Sequence, residues 1–182
     1  MRILTKILII VAVIVSIGIL IIADISDRNI YYSIHTPKEE FETFQFKPID
    51  EKIKAYKENF GNPKWKFPRE KVEKVILYEN KLFISRLTSI KLEEYEINKV
   101  IEILNDPNNF DWSETTWSLK EAEYILRFFN SENKKIGEIW LCLNDCGMTK
   151  SLPFSPNMKF GGLNEQGKKR IMEILKIIKK ST

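Results

Sequence analysis

The chain has 182 residues, of which 43% are hydrophobic and only two are cysteines, so its composition excludes a disulfide-dense miniprotein. Arg2 and Lys6 account for two of its 29 basic residues, and the remaining 27 nearly balance 25 acidic ones. This balance excludes the strongly basic surface of a nucleic-acid-binding domain, and we expect no nucleic-acid partner.

The first predicted element is an uncharged apolar run, Ile7–Ala23. A helix of this length spans about 25 Å, which is near the thickness of the hydrocarbon core of a bilayer. We therefore predict that residues 1–23 are a signal anchor and that the run contacts the lipid. Because Arg2 and Lys6 precede it, we expect a single-pass protein with a cytoplasmic N-terminus and its C-terminal domain outside.

A cleaved signal peptide is the alternative. Ile7–Val15 would be its apolar core, and Ser16-Ile17-Gly18 is a small-x-small cleavage site. Cleavage near Gly18 would release a secreted or periplasmic domain whose new terminus begins with the apolar residues 19–22. That terminus would be poorly soluble, so we favour the uncleaved anchor.

Residues 24–48 mix aromatic residues, prolines and charges without a helical period, which predicts a tether and an extended segment. The pattern Phe44-x-Phe46 predicts that its last part lies on the domain. About 135 residues remain, enough for one domain with a hydrophobic core, so we assign residues 49–182 to a single domain.

Three amphipathic helices are predicted in this domain, because apolar residues recur in it at helical spacing. The first ends before Gly61, the second runs from Leu92 to Asp106, and the third follows the cap residue Asn164. Their apolar residues are Ile49, Ile53, Tyr56 and Phe60; Ile97, Val100, Ile101 and Leu104; and Ile171, Ile174, Leu175 and Ile178.

About five strands are predicted between these helices. Val72–Arg86 contains two of them around the polar turn Glu79-Asn80-Lys81, Ala122–Phe129 and Ile136–Leu143 form a hairpin, and Met148–Phe154 adds another. Hairpin connections predict an antiparallel sheet, and the amphipathic helices need its apolar face. We therefore predict an α+β fold with the three helices mainly on one face of the sheet.

Catalytic chemistry has little support in the sequence. The only histidine, His35, lies in the predicted tether, far from every candidate nucleophile, which disfavours a catalytic triad and a histidine-based metal site. No nucleotide-binding, zinc-protease or calcium motif is present, so we expect no cofactor. A hydrolase that uses two of the 25 carboxylates stays open, because such a site leaves no sequence spacing.

Three sulfur residues, Cys142, Cys146 and Met148, lie within seven positions. A disulfide between the two cysteines is favoured in an oxidising compartment. Free thiols, a Cu(I) site or a redox function are the alternatives.

The last helix is preceded by Gly161 and Gly162, with Lys168 in its first turns. Backbone amides and a lysine at this place suit an anion. A plain turn followed by a solvated basic face is the alternative.

The hairpin predicts a surface for a protein partner. Ile125, Arg127, Phe129 and Trp140 share the face opposite its apolar side, and these residue types are enriched at interfaces. The alternative is that Phe44-x-Phe46, or the loop with Trp112 and Trp117, covers them; we expect at least one of these tryptophans to be buried. The sequence thus favours a membrane-anchored, extracytoplasmic binding module without catalytic chemistry.

Overall fold

A computed structural model describes residues 2–35, 47–58, 65–80, 89–112, 121–144, 146–160 and 162–180. The chain divides into two compact units, residues 1–35 and 36–182, which we describe separately.

The first unit is one helix, α1, which spans Arg2–His35. Its stretch Ile3–Ile22 is the one described helix that is long and apolar enough to cross a membrane. Most large apolar side chains of this stretch are exposed, between 42% at Ile17 and 76% at Ile3. Lipid tails would remove this apolar surface from water, and an uninterrupted helix satisfies its own backbone there.

Helix α1 continues past Ala23, where we expected the tether to begin, and ends only at His35. The prediction of an irregular segment directly after the anchor is therefore wrong for residues 24–35. Neither glycine nor proline occurs between Gly18 and Pro37, so no residue in this stretch breaks the helix.

The second unit has an α+β fold. Its helices are α2 (Ile49–Glu58), α3 (Glu94–Asn105), α4 (Pro156–Phe160) and α5 (Glu165–Lys180), with a 3₁₀ turn at Pro107–Asn109. Its strands are β1 (Lys74–Glu79), β2 (Ile90–Lys91), β3 (Tyr124–Phe129), β4 (Lys135–Leu141) and β5 (Thr149–Leu152). They form one antiparallel sheet in the order β2-β1-β3-β4-β5, which confirms the predicted class and strand number.

The strands agree with the sequence pattern except at the edge formed by β2. The central hairpin β3–β4 and the following strand β5 lie where we expected them. The predicted partner of β1 falls largely in residues 81–88, outside the described residues. In the described part, β1 pairs at this edge with Ile90 and Lys91. Helix α4 lies where we expected a loop.

The main core lies on one face of the sheet. Leu77, Leu126 and Ile139 are directly opposite one another across β1, β3 and β4, so their side chains share a face, and each is at most 1% exposed. They belong to one buried cluster with residues of the helices, namely Tyr56, Ile97, Val100, Ile103, Leu104, Met158, Ile171, Ile174, Leu175 and Ile178. Ile101 is only half-buried at the border of this cluster.

Candidate binding groove

The second face of the sheet does not expose the four residues that we expected to dock a partner. Trp140 is 2% exposed, Ile125 1% and Arg127 8%, while Phe129 is half-buried. Side chains this buried offer little surface, so the expectation of an open docking patch is wrong for the first three. Of the two segments that could cover this face, Phe44-x-Phe46 and Trp117 lie outside the described residues, and Trp112 belongs to the main core.

Arg127 instead has a partner within the sheet. Its Nε donates to Glu138 Oε2 over 2.9 Å, and Lys135 Nζ lies 3.3 Å from the same oxygen. The guanidinium also lies over the ring of Tyr78, 4.9 Å from its centroid. Glu138 is fully buried, and its Oε1 has no hydrogen-bond partner among the described residues. The charge on this face is thus largely paired internally.

The two cysteines are at disulfide-bonding distance, with Cα atoms 5.7 Å apart. Cys142 is 2% exposed and Cys146 is half-buried. The turn between them is held by the Glu123 carboxylate, which accepts hydrogen bonds from the backbone N–H groups of Leu143 and Asn144. Sulfur atoms joined in this way are not thiolate ligands, so the arrangement favours a structural role.

The expected anion site has its donors paired within the chain. Gly162 N donates to Asp111 Oδ1 over 3.0 Å, and Lys168 Nζ donates to a backbone carbonyl oxygen. Helix α5 is capped as predicted, since Asn164 Oδ1 accepts from Gly167 N over 2.9 Å. Gly161 lies outside the described residues. The single backbone donor of Gly162 is therefore already used within the chain.

Trp112 is fully buried, which confirms that at least one loop tryptophan belongs to the interior. Its Nε1 donates to the carbonyl oxygen of Pro107 over 3.0 Å, and the edge of its ring meets Tyr56 at a centroid distance of 5.4 Å. Trp117 lies outside the described residues.

One concave feature of the described surface is a groove along α3, which we call the α3 groove. It consists of two cavities of about 460 and 560 Å³, which adjoin because Lys66 and Ile101 line both. Its length follows that of α3, about 18 Å for twelve residues. The α3 side of the groove consists of residues spaced three or four apart, which therefore share one face of the helix: Glu94, Ile97, Asn98, Ile101, Glu102 and Asn105.

The facing wall is the segment 66–73, and a buried asparagine holds it against the helix. Asn105 Oδ1 accepts from Phe67 N over 2.9 Å, while Asn105 Nδ2 donates to the Phe67 carbonyl oxygen. One side chain thus satisfies both backbone groups of Phe67. Trp65, which directly precedes this segment, is held by Ser155. The Ser155 Oγ donates a hydrogen bond to the Trp65 carbonyl oxygen over 3.2 Å.

The ring of Phe67 anchors the same wall in the sheet. It meets Phe128 edge-on at a centroid distance of 5.0 Å and lies over Gly137. A Cβ at Gly137 would be only 2.8 Å from Phe67 Cζ, so a glycine is needed at this position of β4. The facing wall is therefore fixed from two sides.

Tyr56 and Ile101 form an apolar floor at the C-terminal end of α3, together with Pro107. Burial raises the pKa of the Tyr56 phenol above its ordinary value, with a smaller contribution from the nearby Asp106 carboxylate, while a hydrogen bond with Ser155 opposes the shift. The phenol is therefore neutral at physiological pH, and its Oη donates to the Asn105 carbonyl oxygen at 3.4 Å. This end of the groove suits an apolar side chain.

The carboxylates at this end are paired with cations of the same chain. Glu102 accepts from Lys99 Nζ and from Arg170 Nη2, both over 2.8 Å, and Arg170 Nη1 donates to Asp106 Oδ2 over 3.0 Å. The hydrogen bond from Lys99 lowers the pKa of Glu102, and the charge of Arg170 adds to this effect. Glu102 therefore lacks the raised pKa of a general acid.

No protein-family model, curated protein or solved structure matches the chain. The function is therefore inferred from the residues of this chain alone.

Sequence reasoning missed the α3 groove, although a partial signal was present. Trp65 and Phe67 alternate with Lys66 and precede Pro68, which is typical of an extended segment with one buried side. That pattern indicates a segment laid on the domain. It does not identify α3 as its neighbour, because the contact between Phe67 and Asn105 joins residues 38 positions apart.

Proposed function

We propose that the protein is a membrane-anchored, extracytoplasmic module that binds a protein partner in the α3 groove and has no catalytic chemistry of its own. The observation that carries this proposal is a preformed groove with an apolar floor at Ile101 and Tyr56 and a charged rim. Each of its two cavities, of about 460 and 560 Å³, is within the usual range for sites that accept small ligands.

The membrane part of the proposal rests on the exposed apolar stretch Ile3–Ile22. Arg2 and Lys6 lie at its N-terminal end, where the positive-inside rule assigns the cytoplasm. The domain that follows would then face the outside, where a disulfide between Cys142 and Cys146 is chemically stable.

The fold gives such a module a firm support. We infer that the amphipathic helices α2, α3 and α5 cover the same face of the sheet, because residues of all three belong to the cluster that contains Leu77, Leu126 and Ile139. Helix α3 is thereby fixed on its inner side, while its outer side lines the groove. Binding on a rigid helix loses little conformational entropy.

Site-specific photocrosslinking in living cells tests this proposal. Ile101 is replaced by a photoreactive amino acid in the full-length chain, and the matched control replaces Ile177, which is 48% exposed on α5 and does not line the groove. We expect a discrete adduct with one membrane or extracytoplasmic protein from position 101 only. Equal adducts from both positions, or none from 101, would contradict binding in the groove.

A further inference from the structure

The C-terminal end of the α3 groove carries an excess of positive charge. Its two carboxylates, Glu102 and Asp106, form direct ion pairs with two cations of the chain. These cations are Lys99 and Arg170, so the four charges balance. Lys57 adds one positive charge at this end. Lys66 lines both cavities and is counted at neither end. Lys57 is exposed and has no ion pair within the described part of the chain.

The N-terminal end of the groove carries the opposite excess. Four glutamates and two lysines line it besides the shared Lys66, which leaves two negative charges in excess; these six residues are Glu70, Glu73, Glu93, Glu94, Lys71 and Lys91. Lys71 and Glu73 neutralise each other over 2.6 Å. Glu70 accepts a hydrogen bond from Asn130 Nδ2 over 3.3 Å, and Glu93 is the N-cap residue of α3. The exposed Glu94, in the first turn of the helix, is therefore the charge that we assign to ligand binding.

We infer that the α3 groove binds an extended polypeptide segment with an acidic residue over Lys57, a basic residue over Glu94 and an apolar side chain between them. This inference rests on the proposed function and specifies its partner. About 18 Å of groove along α3 corresponds to five or six extended residues, roughly 3.3 Å each.

The opposite charges at the two ends of the groove favour a polypeptide as the partner. A nucleic acid or an anionic lipid surface presents one sign of charge, which the glutamate-rich end would repel. A polypeptide carries both signs and an apolar side chain on one strand, so it can match the rim and the floor together. Complementary charges of this kind fix the direction in which a segment binds.

Selection from a library of random dodecapeptides tests the inference. The peptides are displayed on phage and selected for binding to the full chain in nanodiscs of zwitterionic lipid. Peptides that also bind the variant Ile101→Gln are removed, because they bind outside the groove. We expect the retained peptides to place an acidic and a basic residue about five positions apart, on either side of an apolar one.

Charge reversal then assigns the two ends. Lys57→Glu should weaken a retained peptide about fivefold to tenfold, as expected for an exposed charge pair, and a peptide with its acidic residue changed to lysine should recover the loss. Glu94→Lys should weaken binding by a similar factor, and changing the basic residue of the peptide to glutamate should recover that loss. The controls Lys176→Glu and Glu173→Lys make the same charge changes at exposed positions of α5 outside the groove and should have no effect.

The possible failures have different meanings. Peptides that depend on Ile101 but show no order of charge would overturn this inference and leave the proposed function in place. The absence of any peptide that depends on Ile101 would overturn both. Self-association of the chain that Ile101→Gln abolishes would identify a second copy as the occupant and would also overturn the inference.

Discussion

Gly167 of α5 lies so close to Asn109 that a Cβ added to the glycine would be 2.2 Å from the Asn109 carbonyl oxygen. Asn109 itself is fully buried, and its Nδ2 donates to the Ile103 carbonyl oxygen over 2.9 Å. The turn after α3 and the first turn of α5 are therefore in contact through backbone atoms, and neither can move away cheaply. This contact fixes the end of α3 that lines the groove.

The first prediction follows from this contact. Gly167→Ala should destabilise the domain by about 2 kcal/mol or more, because overpacking against backbone usually costs 1–3 kcal/mol. Helix propensity alone would predict the opposite sign. Denaturant unfolding of the full chain in micelles measures the change, with the exposed neighbour Gln166→Ala as a control. A Gly167→Ala variant as stable as the parent chain would disprove the close contact.

The sequence predicts local structure here better than it predicts contacts. The central hairpin and the cap at Asn164 follow from residue patterns that act within a few positions. The burial of Trp140 does not, because a half-apolar strand face is compatible with both a partner and a covering segment. Periodicity shows that a face is apolar, but what it meets depends on residues distant in the chain.

The same limit applies to the groove. Its facing wall depends on Asn105 and Gly137. In the sequence, Asn105 is an ordinary polar residue at the end of a helix, and Gly137 is a glycine that would only weaken a strand. Only the fold shows that Asn105 satisfies the backbone of Phe67 and that Gly137 makes room for its ring.

The disulfide is the second prediction. Closing so short a loop restricts the unfolded chain by about 2 kcal/mol at most in a chain-entropy estimate, so Cys146→Ser should lower the melting temperature modestly and leave the fold intact. Alkylation followed by mass spectrometry of the full chain isolated from cells measures the bond. Two alkylated cysteines in the native protein would refute it.

Stability at alkaline pH is the third prediction. Since burial raises the pKa of Tyr56 in the folded state, its neutral phenol contributes stability that is complete below the ordinary tyrosine value of about 10 and is lost as the pH rises above it. Tyr56→Phe should therefore reduce the loss of stability between about pH 10 and 12. Tyr95→Phe, on an exposed tyrosine of α3, is the matched control and should leave that loss unchanged.

Membrane topology is the fourth prediction. Protease added outside spheroplasts should degrade the domain and spare the N-terminus, as Arg2 and Lys6 predict for a single-pass anchor. Immunoblotting with tags at each end reads the result. A protected C-terminal tag on intact spheroplasts would reverse the assignment, and a domain released into the medium would indicate cleavage near Gly18.

The last prediction concerns the buried pair formed by Arg127 and Glu138. Arg127→Met removes the cation 2.9 Å from a carboxylate that is fully buried, and breaking such a pair typically costs about 3–5 kcal/mol. Because Lys135 Nζ stays 3.3 Å from the same oxygen, we expect a loss near the lower end of this range. The double variant Arg127→Met, Glu138→Leu removes both charges and keeps the apolar volume, so it should recover most of that stability. Lys71→Met, which breaks the exposed pair with Glu73, is the control and should change the stability little. Chemical denaturation of the four chains measures these values.

A double variant no more stable than Arg127→Met would show that Arg127 acts through other contacts on this face. An Arg127→Met variant as stable as the parent would show that the charge of Glu138 is not buried in solution.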